Sequence, residues 1–238
     1  MDAWRIEHDL LGDKQVPSDA YYGVQTVRAM ENFVVSNIPI SRFPFFIQAL
    51  AYIKKATALA NLEYRILDPA VGGAIIEACD EIIAGKLHDQ FPVDAIQGGA
   101  GTSTNMNANE VIANRALELL GKKRGEYKIV HPNNHVNLSQ STNDVYPTSI
   151  RLAAAWMLDA LLVELENFKA SLEEKGREFH DVLKMGRTQL QDAIPMTLGQ
   201  EFIAWAESVG EDIERMRIAR TLLYEINMGA TAIGTGLN

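Results

Sequence analysis

Between Thr148 and Phe179, the apolar residues Leu158, Leu161, Leu162, Leu165, Phe168 and Leu172 recur at the 3.6-residue spacing of a single helix face. A second pattern of this kind follows Pro195, through Leu198, Phe202, Trp205, Val209, Ile213 and Met216. A helix of about 30 residues is about 45 Å long. Long helices joined by a short connection are the parts of a bundle. No alternation of strands and helices predicts a parallel sheet, and no internal repeat is visible. The Met and Trp residues on the long helices read as core. Two antiparallel helices cannot cover both of their apolar faces, and the sequence stops in the small-residue run Gly229 to Asn238. The bundle is therefore expected to be unfinished, the chain truncated.

Ahead of the bundle, residues 1–43 read as irregular, with turn signals at Gly12-Asp13, Pro17-Ser18 and Gly23. Helices are expected over 45–65, opened by Pro44, over 69–84, closed by Gly85, and over 105–120, ended by Gly121. A loop is expected over 89–101 and a polar irregular stretch over 122–140. The fold class is mostly α, with an N-terminal helical domain over 1–140 and the first part of a central bundle over 141–238.

With 238 residues, 47% of them hydrophobic, the chain can bury a real core. Its net charge of -9 argues against nucleic acid or an anionic membrane as the main partner. The single cysteine, Cys79, excludes an intramolecular disulfide framework and fits a reducing compartment. The start, Met1 to Glu7, lacks a basic-then-apolar signal pattern, and no stretch reaches the ~18 apolar residues of a membrane span. A soluble cytoplasmic protein is expected.

Three loops concentrate polar chemistry. Gly98-Gly99-Ala100-Gly101 leads into Thr102-Ser103-Thr104-Asn105. It lacks the third glycine of a dinucleotide loop, since position 104 is threonine, and it has no lysine for a triphosphate loop. The second is Gln140-Ser141-Thr142-Asn143-Asp144, with Pro147 expected in the first helical turn. Both sit where a helix N-terminus presents unpaired N–H groups to an anion. Both could equally be ordinary N-caps. With no lysine in either, the ligand they suit is a small dicarboxylate held by neutral donors. The third loop is Met185 to Ala193, where Arg187 and Asp192 could simply pair, leaving Thr188 and Gln189 unexplained. His131 and His135 flank Pro132-Asn133-Asn134 without metal-ligand spacing, so they order the loop or touch an anion peripherally. No metal, no cofactor and no nucleophile–base pair is expected.

These three loops resemble the fumarase/aspartase superfamily and, within it, the aspartate ammonia-lyase branch. Asp19-Ala20-Tyr21-Tyr22-Gly23-Val24-Gln25-Thr26 and Asn227 to Asn238 extend the resemblance to the whole chain. Thr142 stands where fumarases usually carry a second serine, and Gln189 where they usually carry a histidine. The resemblance implies reversible conversion of L-aspartate to fumarate and ammonia through a carbanion stabilised at the β-carboxylate. It places Thr102, Ser141 and Thr142 on that carboxylate and Asn143 at the ammonium or α-carboxylate end. Thr188 would touch a carboxylate, with Gln189 near the amino group. In the family the general base is a serine in a loop of pattern G-S-S-x-M-P-x-K-x-N, which does not occur in this sequence. No catalytic base is therefore assigned, and the lone chain is expected to be inactive. The resemblance further implies a homotetramer. Alternatives are a class II fumarate hydratase and a non-catalytic helical assembly or regulatory protein.

Overall fold

The computed structural model describes residues 3–237; Met1, Asp2 and Asn238, at the outer ends of the motifs above, lie outside them. The described chain forms two compact units, one of 1–153 with 226–238 and one of 154–225, so the division falls inside a helix rather than at residue 140.

The first unit opens with a hairpin where the sequence predicts irregular chain. β1 (Trp4–Asp9) pairs antiparallel with β2 (Gly12–Pro17). Its alternation is inverted, which hides it from a hydrophobicity reading. Glu7 is buried at 4% exposure while Ile6 is 62% exposed. Arg5 holds Glu7 at 2.8 Å and donates to the carbonyls of Pro17, Ala20 and Tyr22. A short helix α1 (Val24–Asn32) follows, also within the stretch expected to be irregular. Its first-turn N–H groups are met from a distance. Glu110 accepts from Gly23, Gln25 and Thr26 backbone nitrogens and from Thr26 Oγ1, while Glu7 accepts from Val24. Burial pushes the Glu110 carboxyl up to about 7 against the pull of these donors.

The core is three helices: α2 (Pro44–Glu63), α3 (Pro69–Ile83) and α4 (Thr102–Leu119). Pro44 and Pro69 occupy first-turn positions where a missing N–H costs nothing, and Asp68 caps α3 by accepting from Ala70 and Val71. Their buried faces meet through Ile47, Leu50, Ile75, Ile82, Ile112 and Leu117, with Phe91 from the connecting loop. A single π-helical turn, Pro132–Val136, interrupts the polar stretch that follows.

α5 (Thr142–Glu178) is one helix of 37 residues. It starts six residues ahead of the apolar pattern, so Pro147 lies inside it, past the first turn. Proline cannot donate to the carbonyl four residues back, here Asn143. That carbonyl instead accepts from Asn227 Nδ2 at 2.8 Å, which ties the Gly-rich C-terminal segment to the start of α5.

In the second unit the predicted polar loop is a hairpin, β3 (Leu183–Thr188) with β4 (Gln191–Thr197). Its turn residues Gln189 and Leu190 have φ of 50° and 61°, the left-handed pair of a tight hairpin turn. Exchanging the fully exposed Leu190 for glycine removes this strain, so Leu190→Gly is expected to stabilise by about 1 kcal/mol, read from the urea midpoint. α6 (Leu198–Thr221) begins with a complete capping box between Thr197 and Gln200. On these helices Leu172, Ala206 and Ile213 are buried, but Met157, Leu161, Phe168 and Trp205 are exposed. The expectation that every Met and Trp here is core is therefore corrected, because the described chain supplies too few partners for the apolar rows.

Candidate functional site

A cleft of about 830 Å³ in the first unit is lined by Thr102, Asn105, Asn134, Asn137, His131 and Thr142, among others. Thr102 is the first residue of α4 and Thr142 the first of α5, so two helix N-termini open on one cavity. Each brings unpaired N–H groups and partial positive charge.

Local sequence explains each end. Gly101 precedes α4 with φ of 87°, and a Cβ there would lie 2.1 Å from the Tyr146 ring. Only glycine admits both the backbone and the ring. The polar run after it does not cap α4 as the sequence suggests; Gln97 does, its Oε1 accepting from Thr104 N at 3.0 Å. Thr102 is left exposed.

At α5 the cap is realised. Ser141 Oγ accepts from Asn143 N at 3.2 Å, and Asp144 reaches back to Ser141 N at 3.1 Å. Asp144 is fully buried and also accepts from Thr231 N at 2.7 Å, a second tie to the C-terminal segment. The choice between cap and ligand contact is not exclusive. Capping uses the lone pairs of the Ser141 hydroxyl and leaves its hydrogen to donate. Asn143 Nδ2 donates to the Ala232 carbonyl at 3.2 Å, which turns Oδ1 toward the acceptor's role.

The expected residues thus fall into two groups. Thr102 and Thr142 share the cleft, with Ser141 and Asn143 beside Thr142 in the chain. Thr188 and Gln189 lie exposed at the hairpin of the second unit, where Arg187 and Asp192 pair across the strands at 3.0 Å.

His131 and His135 order their loop. His131 Nδ1 accepts from Asn133 and Asn134 nitrogens, and His135 Nδ1 accepts from His131 N. Burial, then the neighbouring His135, lowers the His131 pKa and favours the neutral ring with its hydrogen on Nε2. Among the described residues no group of three metal-ligating side chains converges, and no helix is long and apolar enough to cross a membrane.

One functional group escapes the sequence reading. Lys54, on α2, is completely buried, and its Nζ donates to Asn137 Oδ1 at 2.8 Å and Gln140 Oε1 at 3.0 Å. Asn105 Nδ2 bridges Asn137 Oδ1 at 3.1 Å and Thr142 Oγ1 at 3.0 Å, which links the lysine to the cleft wall. Burial brings Lys54 down to about 7. The signal was present in the sequence. Ile47, Leu50, Ala51, Lys54, Ala58 and Asn61 form the buried stripe of α2 at helical spacing.

The sequence matches the family Lyase_1, described as lyase, over residues 12–238. The chain belongs to this lyase family. It is 58% identical over 98% of its length to the aspartate ammonia-lyase of Pseudomonas aeruginosa, of which it covers 50%. Its fold superimposes on fumarate lyase:delta crystallin from Brucella melitensis with a TM-score of 0.96 and 54% identity, covering 99% of this chain and 51% of that one. Against class II fumarase from Schistosoma mansoni the TM-score is 0.88 and the identity 38%, over 98% of this chain and 49% of that one. The lyase chain therefore spans about half the length of the curated relatives it matches. The mostly helical, fumarase/aspartase-like architecture expected from the sequence is the one observed.

Proposed function

We propose that this chain carries the substrate-holding part of a carbon–nitrogen lyase that interconverts L-aspartate with fumarate and ammonia. The observation that carries the reading is the meeting of two helix N-termini, headed by Thr102 and Thr142, on one cleft. Removing the Cβ proton of aspartate places a second negative charge on the β-carboxylate, and preorganised donors lower the barrier at that atom. Neutral hydroxyls and helix N–H groups supply such donors without a permanent counter-ion that would hold the product equally well. Thr102, Ser141 and Thr142 take the β-carboxylate, and Asn143 accepts from the ammonium end. Thr188 and Gln189 serve a carboxylate and the amino group. The general base comes from a serine loop absent from residues 1–238. The working enzyme is a cytoplasmic homotetramer.

Identity favours aspartate over malate as substrate, 58% to the Pseudomonas aeruginosa ammonia-lyase against 38% to the Schistosoma mansoni fumarase. The deciding experiment offers each compound separately to the natural gene product and follows fumarate by absorbance. Aspartate is expected to be consumed with release of ammonia. Turnover of malate alone would show a hydratase instead, and turnover of neither a non-catalytic assembly. The 238-residue chain by itself is expected to turn over neither, for want of a base.

A further inference from the structure

The hydrogen bonds beneath the cleft have a direction, and Lys54 stands at their source. Charged or neutral, the Lys54 amine has enough hydrogens to donate to both oxygens in its reach. The atoms 2.8 and 3.0 Å from Lys54 Nζ are the oxygens of Asn137 and Gln140, and the nitrogens of the same amides donate to the carbonyls of Gln140, Val136 and Leu138, so neither amide can turn over. Asn137 Oδ1 also accepts from Asn109 Nδ2 at 3.4 Å and from Asn105, whose Nδ2 lies 3.1 Å away. The other hydrogen of that Nδ2 points at Thr142 Oγ1, 3.0 Å away, so the hydroxyl accepts from below. Its own hydrogen is left for an acceptor elsewhere, and Thr142 lines the cleft.

The Asn105 amide meets Asn137 Oδ1 in one orientation only. Asn105 Oδ1 is buried without a partner among the described residues. With the Asn105 amide turned over, Oδ1 could take the Thr142 hydrogen, but Nδ2 would move to the buried place that has no partner. That arrangement would face Oδ1 of Asn105 against Oδ1 of Asn137. One buried polar atom of Asn105 is unmet in either orientation, and the contact with Asn137 Oδ1 decides between them.

We infer that Lys54 is a positioning residue: through Asn137 and Asn105 it fixes the Thr142 hydroxyl as a donor to an anion in the cleft. The inference rests on the proposed carboxylate role of Thr142. A threonine free to rotate could spend its hydrogen on Asn105 and present only lone pairs to the ligand, which would repel a carboxylate. Lys54 closes off that state at a distance, without itself touching the ligand.

The test uses the natural gene product and two ways of breaking the relay. Lys54→Met removes the donor. Asn105→Asp keeps the shape but places an acceptor-only group against Thr142, reversing the polarity there. Each is expected to lower kcat/KM for aspartate about ten- to a hundredfold. The discriminating step repeats each change in a Thr142→Val background, where there is no hydroxyl to orient. There the relay predicts no further loss, whereas a merely structural lysine, or simple repulsion by the carboxylate introduced in Asn105→Asp, predicts the same loss again. Additive losses, or an unchanged kcat/KM for Asn105→Asp, overturn the inference. If Lys54→Met fails to fold, Asn105→Asp carries the cycle alone. Neutron diffraction on the deuterated protein decides independently of any substrate. A deuteron on Thr142 Oγ1 directed into the cleft supports the relay, and one directed at Asn105 refutes it even if aspartate turns over. Loss of the functional reading is seen separately, as a wild-type protein inert toward aspartate.

Discussion

Thr142→Val is expected to cost about ten- to a hundredfold or more in kcat/KM for aspartate while leaving the fold in place. The replacement is nearly isosteric, and Thr142 is not the residue that caps α5; Ser141 is. Asn105 Nδ2 loses one acceptor but keeps Asn137 Oδ1. What disappears is a donor to a charged oxygen, worth about 1.5–3 kcal/mol, and it disappears where charge grows in the transition state. Because the charge on the β-carboxylate is larger there than in bound aspartate, kcat should fall together with kcat/KM, not KM alone. Thermal unfolding of the variant should match the wild type to within a few degrees. The companion change Ser141→Ala behaves differently, because it removes a ligand donor and a cap together. It should lose activity and also about 1 kcal/mol of stability. An unchanged kcat/KM in Thr142→Val would reduce Thr142 to a hydrogen-bond acceptor at a helix start and withdraw the carboxylate role from it.

Apart from α1, the helices were legible because their punctuation is local. Pro44, Pro69, Gly85 and Gly121 stand where each one starts or stops, and the stripe on α6 keeps its period. The two hairpins were not, for opposite physical reasons. β1 turns a charged pair inward and isoleucine outward, so its alternation carries the wrong sign. β3 and β4 are exposed on both faces for most of their length, so no alternation is demanded of them. The start of α5 was misjudged because Pro147 reads as a helix opener; nothing in its vicinity reveals that Asn227, far along the chain, would satisfy the carbonyl it frees. Much the same holds for the site. Thr102 and Thr142 declare themselves by their place in polar runs ahead of helices, but their convergence on one cleft is a tertiary fact. Lys54 sits beside Lys55, and the pair looks like a solvated surface. Lys55 does face outward to Asp80, whereas its neighbour, one position earlier, faces the core.

That inward turn has a measurable consequence for stability. Among the described residues no carboxylate lies against the enclosed Lys54, and the nearby Cys79, pushed up to about 12 by its own burial, stays a neutral thiol and offers no counter-charge. The folded-state value of about 7 lies well below the ~10.4 of a lysine in the unfolded chain. Between these values the unfolded chain holds a proton that the folded protein has released, so stability rises with pH across this window. Below about 7 both states are protonated and the burial cost is present in full, about 5 kcal/mol on the scale of the shift. It is relieved as the pH climbs and is gone once the unfolded lysine also titrates. Lys54→Met has no such group. Urea unfolding of wild type and variant at about pH 6.5 and pH 9.5 should therefore show the wild type gaining about 3 kcal/mol on the variant over that interval. Parallel pH dependence in the two proteins would mean that Lys54 keeps its proton in the fold, stabilised by Asn137 and Gln140 more strongly than burial opposes it. A rise confined to the wild type would identify a cation held at real cost in a place where its two amide contacts also lead to the cleft.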